Sequence, residues 1–99
     1  MEDAENLAEC QLDAELREQL LNEQVECTFI WTNKAGQPFG VAMSFIWRKG
    51  SIWLTAAGTR ARIPAIRRTG YAAAMISSVG TSIGPGKTVS VRGRCIVHD

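Results

Sequence analysis

The residues best suited to chemistry lie near the middle of the chain, where several arginines follow a Gly-Thr pair. The pair is Gly58-Thr59, and the arginines are Arg60, Arg62, Arg67 and Arg68. A helix that begins here would direct unpaired N–H groups and a partial positive charge toward an anion. The Thr59 hydroxyl and the planar guanidinium of Arg62 would add donors that fit phosphate oxygens. The stretch has the chemistry of a monophosphate site, although such arginines can equally be solvated or paired with acidic residues elsewhere.

Few other side chains are suited to catalysis. From Cys27 to His98 there is no Asp or Glu, and His98 is the one histidine of the chain. This pattern argues against a Ser–His or Cys–His pair and against a metal site. It also leaves the segment without a general base, which argues against hydrolases and most lyases. Hydride transfer remains compatible, because a bound cofactor carries that chemistry.

Cysteine usage and hydropathy indicate a cytoplasmic protein without a membrane span. Cys10, Cys27 and Cys95 are odd in number and form no C-x-x-C pair, so we expect a reducing cytoplasm and no disulfide framework. Met1–Glu9 is acidic, unlike the start of a signal peptide. No apolar run approaches the roughly 18 residues that a membrane span needs.

Charge is distributed very unevenly. Nine of the ten acids lie between Glu2 and Glu26, and ten of the eleven bases lie between Lys34 and Arg94. The acidic part can simply neutralise the basic part, within one chain or between chains. The basic part can also bind an anion such as a phosphate or a nucleic-acid backbone. The two interpretations are compatible.

Local patterns predict an α-helix followed by β-strands. Good helix formers fill the sequence from Asp3 to Gln24, and Asp13 is suited to cap a helix over Ala14 to Asn22. After Val25 the apolar residues alternate with period two. Turn residues and this alternation delimit five strands and a short helix capped by Thr59. The predicted strands are Cys27–Thr32, Phe39–Trp47, Ser51–Thr55, Tyr71–Ser77 and Thr88–Val97, and the short helix ends near Arg68.

This order predicts a mainly β fold: an antiparallel β-barrel with an N-terminal helix and one short helix between strands three and four. We expect residues 1–12 to form an acidic tail and residues 13–99 to form the domain. Closed barrels usually need six or more strands. A five-stranded chain therefore leaves an edge open, needs a partner chain to cover it, or is shorter than the complete domain.

Three stretches resemble the pyridoxamine 5'-phosphate oxidase-like family of flavin-binding split barrels, including its deazaflavin-dependent branch. Gly36-Gln37-Pro38, with Val41–Trp47 and Gly50, resembles the family's "G-x-P … W-x-x-x-G" double strand. Thr55–Ile66 resembles the segment that leads into the short helix, and Val89–Arg94 resembles the "V-x-V-x-G-x-A" strand. The similarity runs from about Leu16 to Val97.

The resemblance implies a flavoprotein oxidoreductase that uses FMN or the deazaflavin coenzyme to transfer hydride to a small molecule. It also implies a split, Greek-key-like form of the barrel and a homodimer with the cofactor at the subunit interface. The strand that would lie along the cofactor ring contains Met43, Ser44 and Phe45. Thr55 precedes the phosphate loop, in which Gly58, Thr59 and Arg62 would bind the phosphate.

The sequence departs from the family pattern in three places. Arg62 stands where the family has lysine, and Thr69-Gly70 replaces its usual Asn-Pro. The family's remaining C-terminal strands and helix have no counterpart. These departures leave a non-catalytic, cofactor-binding relative as an alternative.

A second alternative belongs to another class of protein. A basic barrel with aromatic residues between arginines and lysines can bind single-stranded nucleic acid, as OB-like barrels do. Against it, the aromatic residues follow the regular apolar face of each strand. Trp31, Trp47 and Trp53 are therefore expected in the core or at a dimer interface.

Overall fold

The N-terminal helix forms as its cap predicts. The computed structural model describes residues 13–55 and 62–98. Helix α1 spans Ala14–Glu23, and the carboxylate of Asp13 accepts a hydrogen bond of 2.7 Å from the backbone N–H of Leu16. Leu20 and Leu21 are its buried residues. The division into a tail of residues 1–12 and a domain of residues 13–99 remains a prediction.

Five antiparallel strands form one sheet in the described part of the chain. Their order is β3-β2-β1-β4-β5, so the first three strands form a meander and β4 returns beside β1. The sheet curls into a half-barrel, which confirms the predicted mainly β, split-barrel class. The elements after α1 are β1 (Glu26–Thr32), β2 (Pro38–Arg48), β3 (Ser51–Leu54), α2 (Arg62–Thr69), β4 (Tyr71–Ser77) and β5 (Thr88–Arg94).

The β2–β3 hairpin has a two-residue turn. Arg48 pairs with Ser51, which leaves Lys49 and Gly50 as the two loop residues. Both have positive φ, 53° for Lys49 and 75° for Gly50. Two consecutive positive φ angles match the twist of an antiparallel hairpin, and glycine adopts the second one without strain.

The core lies on the inner face of the half-barrel. Every second residue of each strand points inward, so the period-two pattern of the sequence becomes one apolar layer. The helices close this layer through Leu20 and Leu21 of α1 and Ile66 of α2. The buried strand residues are Cys27, Phe29, Met43, Phe45, Ala74, Ile76 and Val89.

The last strand is shorter than predicted. β5 ends at Arg94, not at Val97. Arg94 pairs with Tyr71, the first residue of β4, so the residues after it run past the end of their partner strand. One further backbone hydrogen bond joins the N–H of Cys95 to the carbonyl of Gly70 at 2.9 Å.

Hydrogen bonds of the Glu23 and Gln24 side chains join the end of helix α1 to the end of β4 and to the loop after it. The carboxylate of Glu23 accepts hydrogen bonds from the backbone N–H and the hydroxyl of Ser82, at 2.9 and 2.7 Å. The side-chain amide of Gln24 donates to the carbonyls of Ser77 and Val79. The bonds from Ser82, first that of its side chain, lower the pKa of Glu23 from its ordinary value of 4.5.

We expect low pH to weaken the hydrogen bonds between Glu23 and Ser82. A carboxyl group whose pKa is lower in the folded than in the unfolded chain stabilises the fold above its unfolded pKa. That contribution is lost as the pH falls below about 4.5 toward the lowered value. Glu23→Gln should therefore flatten the decline of Tm between pH 5 and pH 3. Glu15→Gln, on the exposed side of the same helix, is the control, and equal slopes for both variants would contradict the assignment.

Candidate functional site

Arg62 is the first residue of α2 and is only partly exposed to solvent. Its Nε atom is buried and has no hydrogen-bond partner among the described residues. A buried donor without an acceptor is rare, because it loses its bonds to water and gains none in return. A ligand atom that accepts a hydrogen bond from this Nε–H would therefore be bound favourably.

A cavity of about 340 Å³ adjoins Arg62. Phe29, Met43 and Ile66 give it an apolar floor from β1, β2 and α2. Arg62 and Arg94 bring positive charge to it. An apolar pocket with a few polar groups is the usual form of a small-molecule site, and this one suits a flat apolar ring with an anionic group.

The cavity joins two of the five described residues that the sequence predicted for cofactor binding, Met43 and Arg62. Phe45 is buried in the core, and Ser44 is exposed on the outer face of the sheet because neighbouring strand residues point in opposite directions. Thr55 is exposed directly after β3. The other two predicted residues, Gly58 and Thr59, lie outside the described residues.

Sequence reasoning missed the part of the cavity formed by the last residue of β5 and the residues that follow it. Arg94, Cys95 and His98 all line it. The His98 ring stacks on Trp53 of β3, with ring centroids 5.8 Å apart and planes 21° from parallel. The residues after β5 therefore cross from the end of that strand to β3. The pairing of Tyr71 with Arg94 puts the end of β5 beside the end of α2, a neighbourhood that no local pattern reveals.

The three tryptophans differ in their environment. Trp31 and Trp47 pack against the core, as predicted. Trp53 does not: it is 48% exposed, because it pairs with Ile46 on the outer face. Trp53 also lines the cavity.

Arg68 has a structural role. Its guanidinium donates a hydrogen bond of 3.0 Å to the backbone carbonyl of Thr32, which joins α2 to the end of β1. Gly70 ends the helix with a φ of 75°, and its N–H donates to the carbonyl of Ile66 at 2.7 Å. These contacts fix the orientation of α2 and therefore the position of Arg62.

The two described thiols are poorly suited to nucleophilic chemistry. Burial raises the pKa of Cys27, and the neighbouring Glu26 carboxylate raises it further. Burial also raises the pKa of Cys95. A raised pKa keeps a thiol protonated, and the thiolate is the reactive form.

Comparison with known proteins shows similarity at the level of the fold. No family model matches the chain, and no curated protein matches it. A solved structure named F420 reductase is 23% identical with a TM-score of 0.69, over 83% of this chain and 61% of its own. The conserved hypothetical protein Rv2991 from Mycobacterium tuberculosis is 20% identical with a TM-score of 0.73, over 85% of this chain and 52% of its own.

The two solved structures support the split-barrel architecture. At identities of 20 and 23% the likeness concerns the fold alone. The chain spans between half and two thirds of the length of each of these proteins. No described helix has the length and apolar character needed to cross a membrane.

Proposed function

We propose that this protein binds a flavin-type cofactor, FMN or the deazaflavin coenzyme, and serves as an oxidoreductase that transfers hydride to a small molecule in the cytoplasm. The observation that carries the proposal is the buried, unpartnered Nε of Arg62 beside an apolar cavity. The likeness in fold to a protein named F420 reductase favours the deazaflavin coenzyme over FMN.

The described residues fit such a group. Arg62 supplies a fixed cation for a phosphate, and Phe29 and Met43 supply an apolar wall for the ring. We expect Thr55, together with Gly58 and Thr59 of the following segment, to complete the phosphate loop. Once bound, the cofactor ring carries the hydride. The side chains of this chain bind it, orient it and keep water from its apolar face.

Absorbance titration tests the proposal. The purified full-length protein is titrated with FMN and, separately, with the deazaflavin coenzyme, and the perturbation of each cofactor's visible band is recorded. We expect saturable binding of the deazaflavin coenzyme that is tighter than binding of FMN. Binding without hydride transfer would identify a non-catalytic relative. Failure to bind either cofactor would reject the proposal.

We further propose a homodimer with the cofactor at the subunit interface. The centre of the outer face is suited to an interface because uncharged residues of β2, β1 and β4 form rows there, although Arg92 of β5 lies at the end of one row. Ile30 pairs with Gly40 and Ala73, and Thr28 pairs with Ala42 and Met75. Trp53 lies on this face and also lines the cavity, so the cavity would open toward the interface, while Ser44 would meet the second subunit.

A charge on the outer face should dissociate the dimer. Met75 is 44% exposed near the middle of the face, so Met75→Glu would bury an unpaired carboxylate in the interface. We expect the variant to sediment as a monomer at micromolar concentration. Val79→Glu adds the same charge at a residue that is 62% exposed in the loop after β4, and it should remain dimeric. Monomeric wild-type protein would refute the dimer.

A further inference from the structure

The half-barrel is open between β3 and β5. Among the described residues β3 pairs with β2 alone and β5 pairs with β4 alone, so each strand has one edge of unpaired backbone groups. A groove of about 550 Å³ lies between these edges, here named the β3–β5 groove. Arg17 of α1 lies on its lining, as do Ser51 and Leu54 of β3 and Arg94 of β5. Unpaired strand edges are templates for pairing with another strand.

The strand directions suit an added strand. Each neighbouring pair in the order β3-β2-β1-β4-β5 is antiparallel, so β3 and β5 run in the same direction. One strand placed between them would be antiparallel to both. Antiparallel pairing on two edges gives the added backbone hydrogen bonds on both sides.

The floor of the groove is apolar. Phe29, Leu54 and Val89 line it from three different strands. Val91, on the inner face of β5, also lines the groove and is left partly exposed there. Because strand side chains alternate between faces, an added strand would need an apolar residue at every second position.

The rim of the groove is positively charged. Arg17, Arg92 and Arg94 line it, and none of these guanidinium groups is paired with a carboxylate in residues 13–55 or 62–98. The outward positions of an added strand would therefore favour Asp or Glu, which can accept charge-assisted hydrogen bonds. The complementary segment alternates apolar and acidic residues.

The chain's own acidic segment has the wrong composition for a strand. Residues 1–12 contain four acids, but no Val, Ile, Thr or aromatic residue. Their Ala, Leu, Glu and Gln favour helix over strand. The composition of residues 1–12 therefore does not match the strand that the groove favours.

We propose that the β3–β5 groove binds an extended acidic segment of a partner protein, which adds a strand antiparallel to β3 and β5 and closes the barrel. Strand addition of this kind takes affinity from main-chain hydrogen bonds and specificity from alternate side chains. The proposal does not require the cofactor. Phe29, Ile52 and Leu54 line both the groove and the cavity beside Arg62, so the partner would also cover one side of that cavity.

A labelled peptide tests the groove directly. The probe has seven residues, the length of β5, with Val or Ile alternating with Glu and a fluorescein at one end. Its fluorescence polarisation is measured with cofactor-free, full-length protein at about 0.15 M salt. We expect saturable binding that Arg92→Glu weakens at least about 10-fold, the effect of losing one charge-assisted hydrogen bond. Lys34→Glu, a matched charge change in the exposed β1–β2 turn, should leave binding unchanged.

Two further arms separate strand addition from other causes. A peptide of the same sequence with methylated backbone nitrogens keeps its charge but cannot pair with a strand, and it should not bind. Equal binding of the methylated peptide would mean simple electrostatic adsorption and would overturn the proposal. The full-length variant in which the four acids of residues 1–12 are changed to amides is the second arm. If the peptide binds only to this variant, the chain's own segment is the occupant of the groove. If it binds neither to the wild type nor to this variant, the groove has no strand partner. Either result would overturn the proposal.

Discussion

Replacing Arg62 with methionine should stabilise the cofactor-free protein while it weakens cofactor binding. The buried Nε–H of Arg62 has no acceptor among the described residues, and such a group costs about 1–3 kcal/mol. Methionine keeps much of the apolar stem and removes the unsatisfied donor. For a domain of this size 1 kcal/mol corresponds to roughly 4–8 °C, so Tm of the cofactor-free variant should rise by several degrees. Loss of a charge-assisted hydrogen bond to phosphate should weaken binding about 10- to 100-fold.

Two variants control this experiment. Arg62→Lys keeps the positive charge and should recover much of the affinity for the cofactor, in line with the lysine that the resembling family has at this position. Arg48→Met removes an exposed arginine at the end of β2 and should change neither Tm nor affinity. Differential scanning fluorimetry and absorbance titration give the two readouts separately. A fall in Tm of cofactor-free Arg62→Met would mean that the Arg62 side chain stabilises the fold by packing and that its buried Nε–H carries no net cost.

The strands and the N-terminal helix could be predicted because their signals are local. Asp13 caps α1 with its own side chain, and apolar alternation through Phe29 and Met43 marks the inner face of the sheet. The end of α2 also follows from the sequence, because Gly70 directly after Thr69 is suited to terminate a helix.

The cavity could be predicted only in part, because it depends on contacts between distant segments. The sequence left open whether Arg62 is solvated, paired with an acidic residue or bound to an anion, whereas packing against the half-barrel buries its Nε. Arg94 and His98 join the site because the residues after β5 run past the start of β4 and the chain then crosses to Trp53. Ser44 was grouped with its neighbours by sequence, but pleating directs it to the opposite face.

Truncating Ile76 should cost more stability than any surface change considered above. Ile76 has 0% of its surface exposed and pairs across the sheet with Val89, another core residue. Ile→Ala at such a site removes apolar contacts and leaves a cavity, at a cost of about 2–5 kcal/mol. The total stability of a domain is about 5–15 kcal/mol, so a large part of it would be lost. We expect a Tm at least about 10 °C lower and a correspondingly lower free energy of unfolding in urea.

Ile46→Ala deletes the same atoms from a side chain that is 65% exposed on the outer face of β2. In a monomer this change should alter the unfolding free energy by no more than about 0.5 kcal/mol. If the outer face is a dimer interface, the cost of Ile46→Ala should instead depend on protein concentration, since association stabilises only the folded chain. The cost of Ile76→Ala arises inside one half-barrel and should persist at every concentration. Equal costs for the two variants under all conditions would contradict the assignment of inner and outer faces.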